Sequence, residues 1–155
     1  MAFPHERAIW HEAGHAVVAL SISLAAADIW YKNGNFEATY GLAQRSRVPL
    51  HHIYTVLAAG AASEKLKFDD YDTKGSSADA TRISDLGGVT IENYLPEALK
   101  ILGVHRRELE GMARELQAKW AQSLFTGRPN PFRVMLAEEV DAVYKAVAAG
   151  QTTAE

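Results

Sequence analysis

Residues 11–15 read His11-Glu12-Ala13-Gly14-His15. On a helix, two histidines four apart are offset by about 40° around the axis and about 6 Å along it, so both imidazoles can reach one ion. Glu12, the next residue round the helix, can face a water held by that ion. Two neutral imidazoles and a carboxylate base are the parts of metal-assisted hydrolysis. The plain alternative is a surface helix with two solvated histidines. The flanks argue against it: Ala8, Ile9 and Trp10 precede the pentapeptide, and Ala16, Val17, Val18, Ala19 and Leu20 follow it. Histidines on a largely buried helix need partners, and one ion partners both. Gly14 costs about 1 kcal/mol relative to alanine in a helix interior. Such a cost implies that another backbone passes close by.

The pentapeptide is the arrangement of zinc peptidases, in which a catalytic ion takes three protein ligands and keeps one open position. The chain has no cysteine, so the third ligand is Asp, Glu or His. A metzincin continuation requires His at position 21, where Ser21 stands. Two candidates on later helices remain, Glu64 and Asp79. Glu64 is otherwise an exposed carboxylate beside Lys65 and Lys67, or a buried partner orienting a ligand histidine. Asp79 is otherwise half of a Ser76-x-x-Asp79 capping box. Spacing does not choose between them. His5, His51, His52 and Tyr40 could each assist at an oxyanion, but each reads more readily as a surface or packing residue.

These residues need elements to position them. The pattern predicts a first helix from about Pro4 to Ala26, a strand at Asp28–Lys32, and an Asn33-Gly34-Asn35 hairpin turn. A second strand follows at Phe36–Leu42, with a third sheet partner expected around Ala43–Val48. Pro49 opens a helix to about Lys67, whose segment Val56–Ala62 has unusually small side chains suited to close helix contact. After a polar loop at Asp69–Gly75, Ser76 or Ser77 caps a helix reaching about Leu86. Helices at Ile91–Leu102 and Arg106–Phe125 follow. Gly127–Pro131 breaks the chain, and a last helix runs to about Ala149. The fold class is therefore mainly α with a small antiparallel β-sheet (α+β). We expect one domain over residues 1–149 and a frayed tail at 150–155. The stripe Val140, Val143, Tyr144 and Val147 reads as a core face, leaving the oligomeric state open.

The composition is that of an ordinary globular chain: 155 residues, 48% hydrophobic and 23% charged. A net charge of −3 with no long Lys/Arg block excludes nucleic acid as an expected partner. The longest apolar run, Ala16–Ala27, is too short for the roughly 20 residues a bilayer span requires. Absence of a signal pattern and of cysteine leads to the expectation of a soluble, cytoplasmic protein.

Three segments, in order, resemble the peptidase domain of the FtsH family of ATP-dependent zinc proteases. They are Arg7–Ala16 around the pentapeptide, Val56–Glu64, and Thr73–Arg82 with Gly75-Ser76-Ser77-Ala78-Asp79 at its centre. The resemblance covers roughly residues 5–86 and implies a helical zincin fold. It implies Zn2+ held by His11, His15 and Asp79, Glu12 as general base, and Glu64 as a supporting residue. The chain departs from the family where Ala58-Ala59-Gly60 replaces Gly-Gly-Arg and Ala78 replaces an asparagine. It also shows no P-loop, so the implied substrates are unfolded or short polypeptides, or polypeptides delivered by a separate unfoldase. A peptide substrate is expected to add as an extra strand beside Phe36–Leu42. The alternatives are a catalytically weak or inactive binding module, and a regulator-cleaving peptidase using Glu64 as third ligand.

Overall fold

The apolar run that carries the histidines is helical, but it stops earlier than its hydrophobicity implies. The computed structural model describes residues 5–38, 49–87 and 90–150. In chain order these form α1 (Glu6–Ser21), β1 (Ile29–Lys32), β2 (Asn35–Ala38), α2 (Leu50–Phe68), α3 (Ser77–Gly87), α4 (Ile91–Val104), α5 (Arg106–Phe125), β3 (Phe132–Met135) and α6 (Ala137–Ala148). The architecture is mainly α-helical with one small antiparallel sheet. No helix among the described residues is long and apolar enough to cross a membrane.

Helix α1 ends at Ser21 rather than Ala26. Ser23 adopts a left-handed conformation (φ 66°), and Leu24 N donates back to Ala19 O at 2.9 Å. This closes the helix and buries Leu24, so the remaining apolar residues serve the core without being helical. The hairpin forms where expected. Asn33 and Gly34 both have positive φ (50° and 86°), as a two-residue turn matched to strand twist requires. Lys32 then pairs with Asn35 and Tyr31 with Phe36.

The third sheet partner expected around Ala43–Val48 lies outside the described residues, as do Tyr40 and the rest of the expected second strand. Phe132–Met135, expected within the last helix, pairs antiparallel with β1 to give the order β2-β1-β3. Asp28 joins both ends of the chain here: its Oδ1 accepts Ala137 N at 2.7 Å and its Oδ2 accepts Arg133 Nη1 at 3.3 Å. A carboxylate brought from over 100 residues away thus caps α6. The helix itself buries Val140 and Val147, with Val143 and Tyr144 against the core.

Helix α1 is central, packed chiefly on α2 and α5. It is buried from His11 to Ala19, as α2 is from Tyr54 to Glu64. The small residues explain the contact. A Cβ added at Gly14 would lie 2.5 Å from Ser63 Cβ and 2.6 Å from Ala59 O. Ser63 Oγ donates to Trp10 O at 2.5 Å, tying the two helices beside the pentapeptide.

Candidate metal centre and cleft

Close packing of α1 on α2 fixes both histidines by their Nδ1 atoms. His15 Nδ1 donates to Val56 O at 2.7 Å, and a carbonyl only accepts, so this nitrogen carries the proton. His11 Nδ1 donates to Glu64 Oε2 at 2.6 Å. Each Nε2 then presents a lone pair, and the two lie 3.1 Å apart. Asp79, in the first turn of α3, places Oδ2 3.0 Å from His11 Nε2 and 3.2 Å from His15 Nε2.

Three acceptors in a triangle of 3.0–3.2 Å edges repel one another unless a cation lies among them. Donors about 2.0–2.1 Å from a tetrahedral zinc are about 3.3 Å apart, so the triangle needs only a few tenths of an ångström of adjustment to hold one. His11, Glu12 and His15 also offer donor atoms within 4.8 Å of one another. Glu12 is buried, and its Oε2 has no hydrogen-bond partner among the described residues. The residues fit a metal with an adjacent base.

The titration behaviour carries the same message. Burial pulls the His11 pKa down, but hydrogen bonds to Asp79 and Glu64 outweigh it and push it up to about 10. For His15, too, burial is overcome, here by the charge and hydrogen bond of Asp79. Burial would raise the Asp79 carboxyl, yet the two histidines hold it below the usual carboxylate range. Burial pushes the Glu12 carboxyl up, against the opposing pull of His15 and His11. The site demands positive charge, which protons supply when no metal does.

The structure therefore gathers His11, Glu12, His15 and Asp79 in one cluster. Glu64 contacts His11 at Nδ1, away from the nitrogen that faces Asp79, so the geometry gives it a supporting place. The capping-box alternative does not form: Asp79 Oδ2 lies against the imidazoles, while Ser76 N donates to Asp72 O. His5 packs against Tyr31, Phe36 and Trp120, and His51 against His52 and Tyr94. None of these three histidines lines the cleft. Spacing gave no role to Gly60. A Cβ there would run into the His11 imidazole, and only the run of small residues around it hinted at such closeness.

The cluster lies in a cleft of about 770 Å³. One wall is β2, which pairs only with β1 among the described residues and lies at the edge of the sheet they form. Another is the face of α3 bearing Ala78, Asp79, Arg82 and Leu86, and Leu24, Ile53, Val56 and Leu57 add apolar surface. The molecule is a helical domain with a His-Glu-x-x-His motif and adjacent acidic residues, consistent with a zinc-metallopeptidase active site. No protein-family model matches the chain, and no curated protein matches it.

Proposed function

We propose that the protein is a zinc metalloendopeptidase built on an FtsH-like peptidase domain spanning residues 1–149. His11, His15 and Asp79 are its zinc ligands and Glu12 is its general base. The observation that carries this reading is the convergence of two imidazole Nε2 atoms and one carboxylate oxygen beside a buried Glu12 oxygen that has no hydrogen-bond partner among the described residues. A plain binding module has no use for that carboxylate.

Zinc bound there supplies Lewis-acid activation of the attacking water and of the scissile carbonyl. Glu12 takes the proton released as water attacks and returns it to the leaving amine. Glu64 and Val56 O keep the imidazoles in the tautomer that ligates through Nε2. The cleft-lining edge of β2 supports a substrate laid along it as an added strand, bonded through its main chain. Such recognition suits unfolded or short polypeptides, with a separate unfoldase as the proposed partner for folded ones.

The test is zinc content together with hydrolysis of an unfolded protein. Wild type should hold stoichiometric zinc and cleave. Glu12→Gln should keep the zinc and lose about 10²–10⁴-fold in rate, whereas Asp79→Ala should lose the zinc. Unchanged activity in Glu12→Gln, or stoichiometric zinc in Asp79→Ala, rejects the reading.

A further inference from the structure

Glu64 has more partners than support of one histidine requires. Its Oε2 accepts His11 Nδ1, while its Oε1 accepts Asp72 N at 3.1 Å and Arg7 Nη1 at 3.2 Å. The same guanidinium reaches past Glu64 into the loop between α2 and α3: Nη1 donates to Asp70 O at 3.3 Å and Nη2 to Asp70 Oδ1 at 3.0 Å. It also lies over the Phe68 ring, 4.6 Å from its centroid. Arg7 stands four residues before His11, so it rises from the same face of α1 one turn earlier.

The loop so held is the one that delivers Asp79. From Asp72, whose amide Glu64 fixes, hydrogen bonds continue along the backbone. Ser76 N donates to Asp72 O and Ala80 N to Ser76 O, both at 3.0 Å. Asp79 sits in the helical turn that this series closes. The histidine pair and Asp79 come from segments 64–68 residues apart, and their junction outside the donor triangle is the set Arg7, Glu64, Asp70 and Asp72.

We propose that Arg7 is a positioning residue for the metal centre, locking the helix that carries both histidines to the loop that presents Asp79. The inference rests on the zinc reading above and adds to it how the third ligand is held. It works through shape as much as charge. The planar guanidinium spans a buried carboxylate and two oxygens of Asp70, which the compact ammonium of a lysine does not reproduce. Without the clamp, the loop retains freedom that metal binding must remove, and the affinity falls accordingly.

Zinc affinity of the refolded metal-free protein, measured by chelator competition, tests this on wild type, Arg7→Met, Arg7→Lys and Asp70→Ala. Arg7→Met should bind zinc about 10–100-fold more weakly, the range typical for removing a ligand's outer support. Arg7→Lys should recover only part of that loss. Asp70→Ala alters a side chain that is 74% exposed. It leaves Arg7 on Glu64, should show a smaller loss in the same direction, and keeps the test decisive if Arg7→Met does not fold. A merely structural role would lower the thermal midpoint of the metal-free protein and leave the affinity of the folded fraction unchanged. Wild-type zinc affinity in folded Arg7→Met, or in Asp70→Ala, overturns the inference alone. A wild-type protein that binds no zinc overturns the metal reading and this inference with it.

Discussion

The His11 imidazole is held from three directions. Glu64 takes its Nδ1 proton, Gly60 lies against its ring, and its Nε2 faces His15 and Asp79. Gly60 therefore matters for its missing side chain, not for backbone freedom. In Gly60→Ala, the methyl group would occupy space now filled by the His11 ring, so the ring must shift from its present place. Chelator competition should show zinc affinity falling by about 10–100-fold, comparable to losing a ligand's outer support, while circular dichroism still reports a helical fold. Wild-type affinity in this variant would mean that the ring does not need its present place. Spacing along the chain revealed His11, Glu12 and His15 because four residues is a helical repeat. It could not separate Asp79 from Glu64, since both are acids on helices and their distances to the imidazoles are not local quantities.

Among the elements, the pair α1–α2 sets the site. His15 Nδ1 to Val56 O and His11 Nδ1 to Glu64 Oε2 both cross this interface, so its separation fixes both imidazoles at once. Gly14→Ala tests it. Helix propensity favours alanine by about 1 kcal/mol. However, the new methyl would meet Ser63 Cβ and the Ala59 carbonyl at 2.5–2.6 Å, and overpacking of this kind costs about 1–3 kcal/mol. Chemical denaturation should show net destabilisation, accompanied by weaker zinc binding. A more stable variant with unchanged affinity would contradict the close contact. The sheet was less legible than the helices. The Asn33-Gly34 turn announces its hairpin locally, whereas β3 is four residues long and exists through its pairing with β1 and the Asp28 clamp. Nothing in Phe132–Met135 itself distinguishes a strand from the start of a helix.

At the scale of the whole molecule, the buried charges couple stability to pH and to metal. In the metal-free protein, His11 at about 10 against an ordinary 6.5 binds its proton more tightly folded than unfolded. Its contribution is complete below pH 6.5 and is lost as pH rises through about 10. His15 and Glu12, also raised, act in the same direction. Asp79, held low, contributes above its ordinary value of 3.8 and loses that contribution only in stronger acid. The metal-free protein should thus be most stable in mildly acidic solution and weaken towards pH 10. With zinc in the site the histidines serve as neutral ligands, so the alkaline loss should disappear. Zinc at about 100 times its Kd should add about 2.7 kcal/mol, an increment that shrinks in acid as protons compete. Thermal unfolding across pH, with zinc and with chelator, measures this. Identical profiles in both conditions would contradict it.

The sequence by itself determined what local geometry governs. It placed two histidines and a glutamate at one helical repeat, specified the Asn-Gly hairpin turn, and supplied small residues where two helices meet. Those features depend on neighbours within a few positions. Only the tertiary structure decided that Asp79 faces both Nε2 atoms while Glu64 takes the far side of His11, that Gly60 makes room for the ring, and that β3 completes the sheet. Each of these depends on contacts between residues about 50 or more positions apart. Such contacts form only when the chain closes, and no local pattern of residue types encodes their distances.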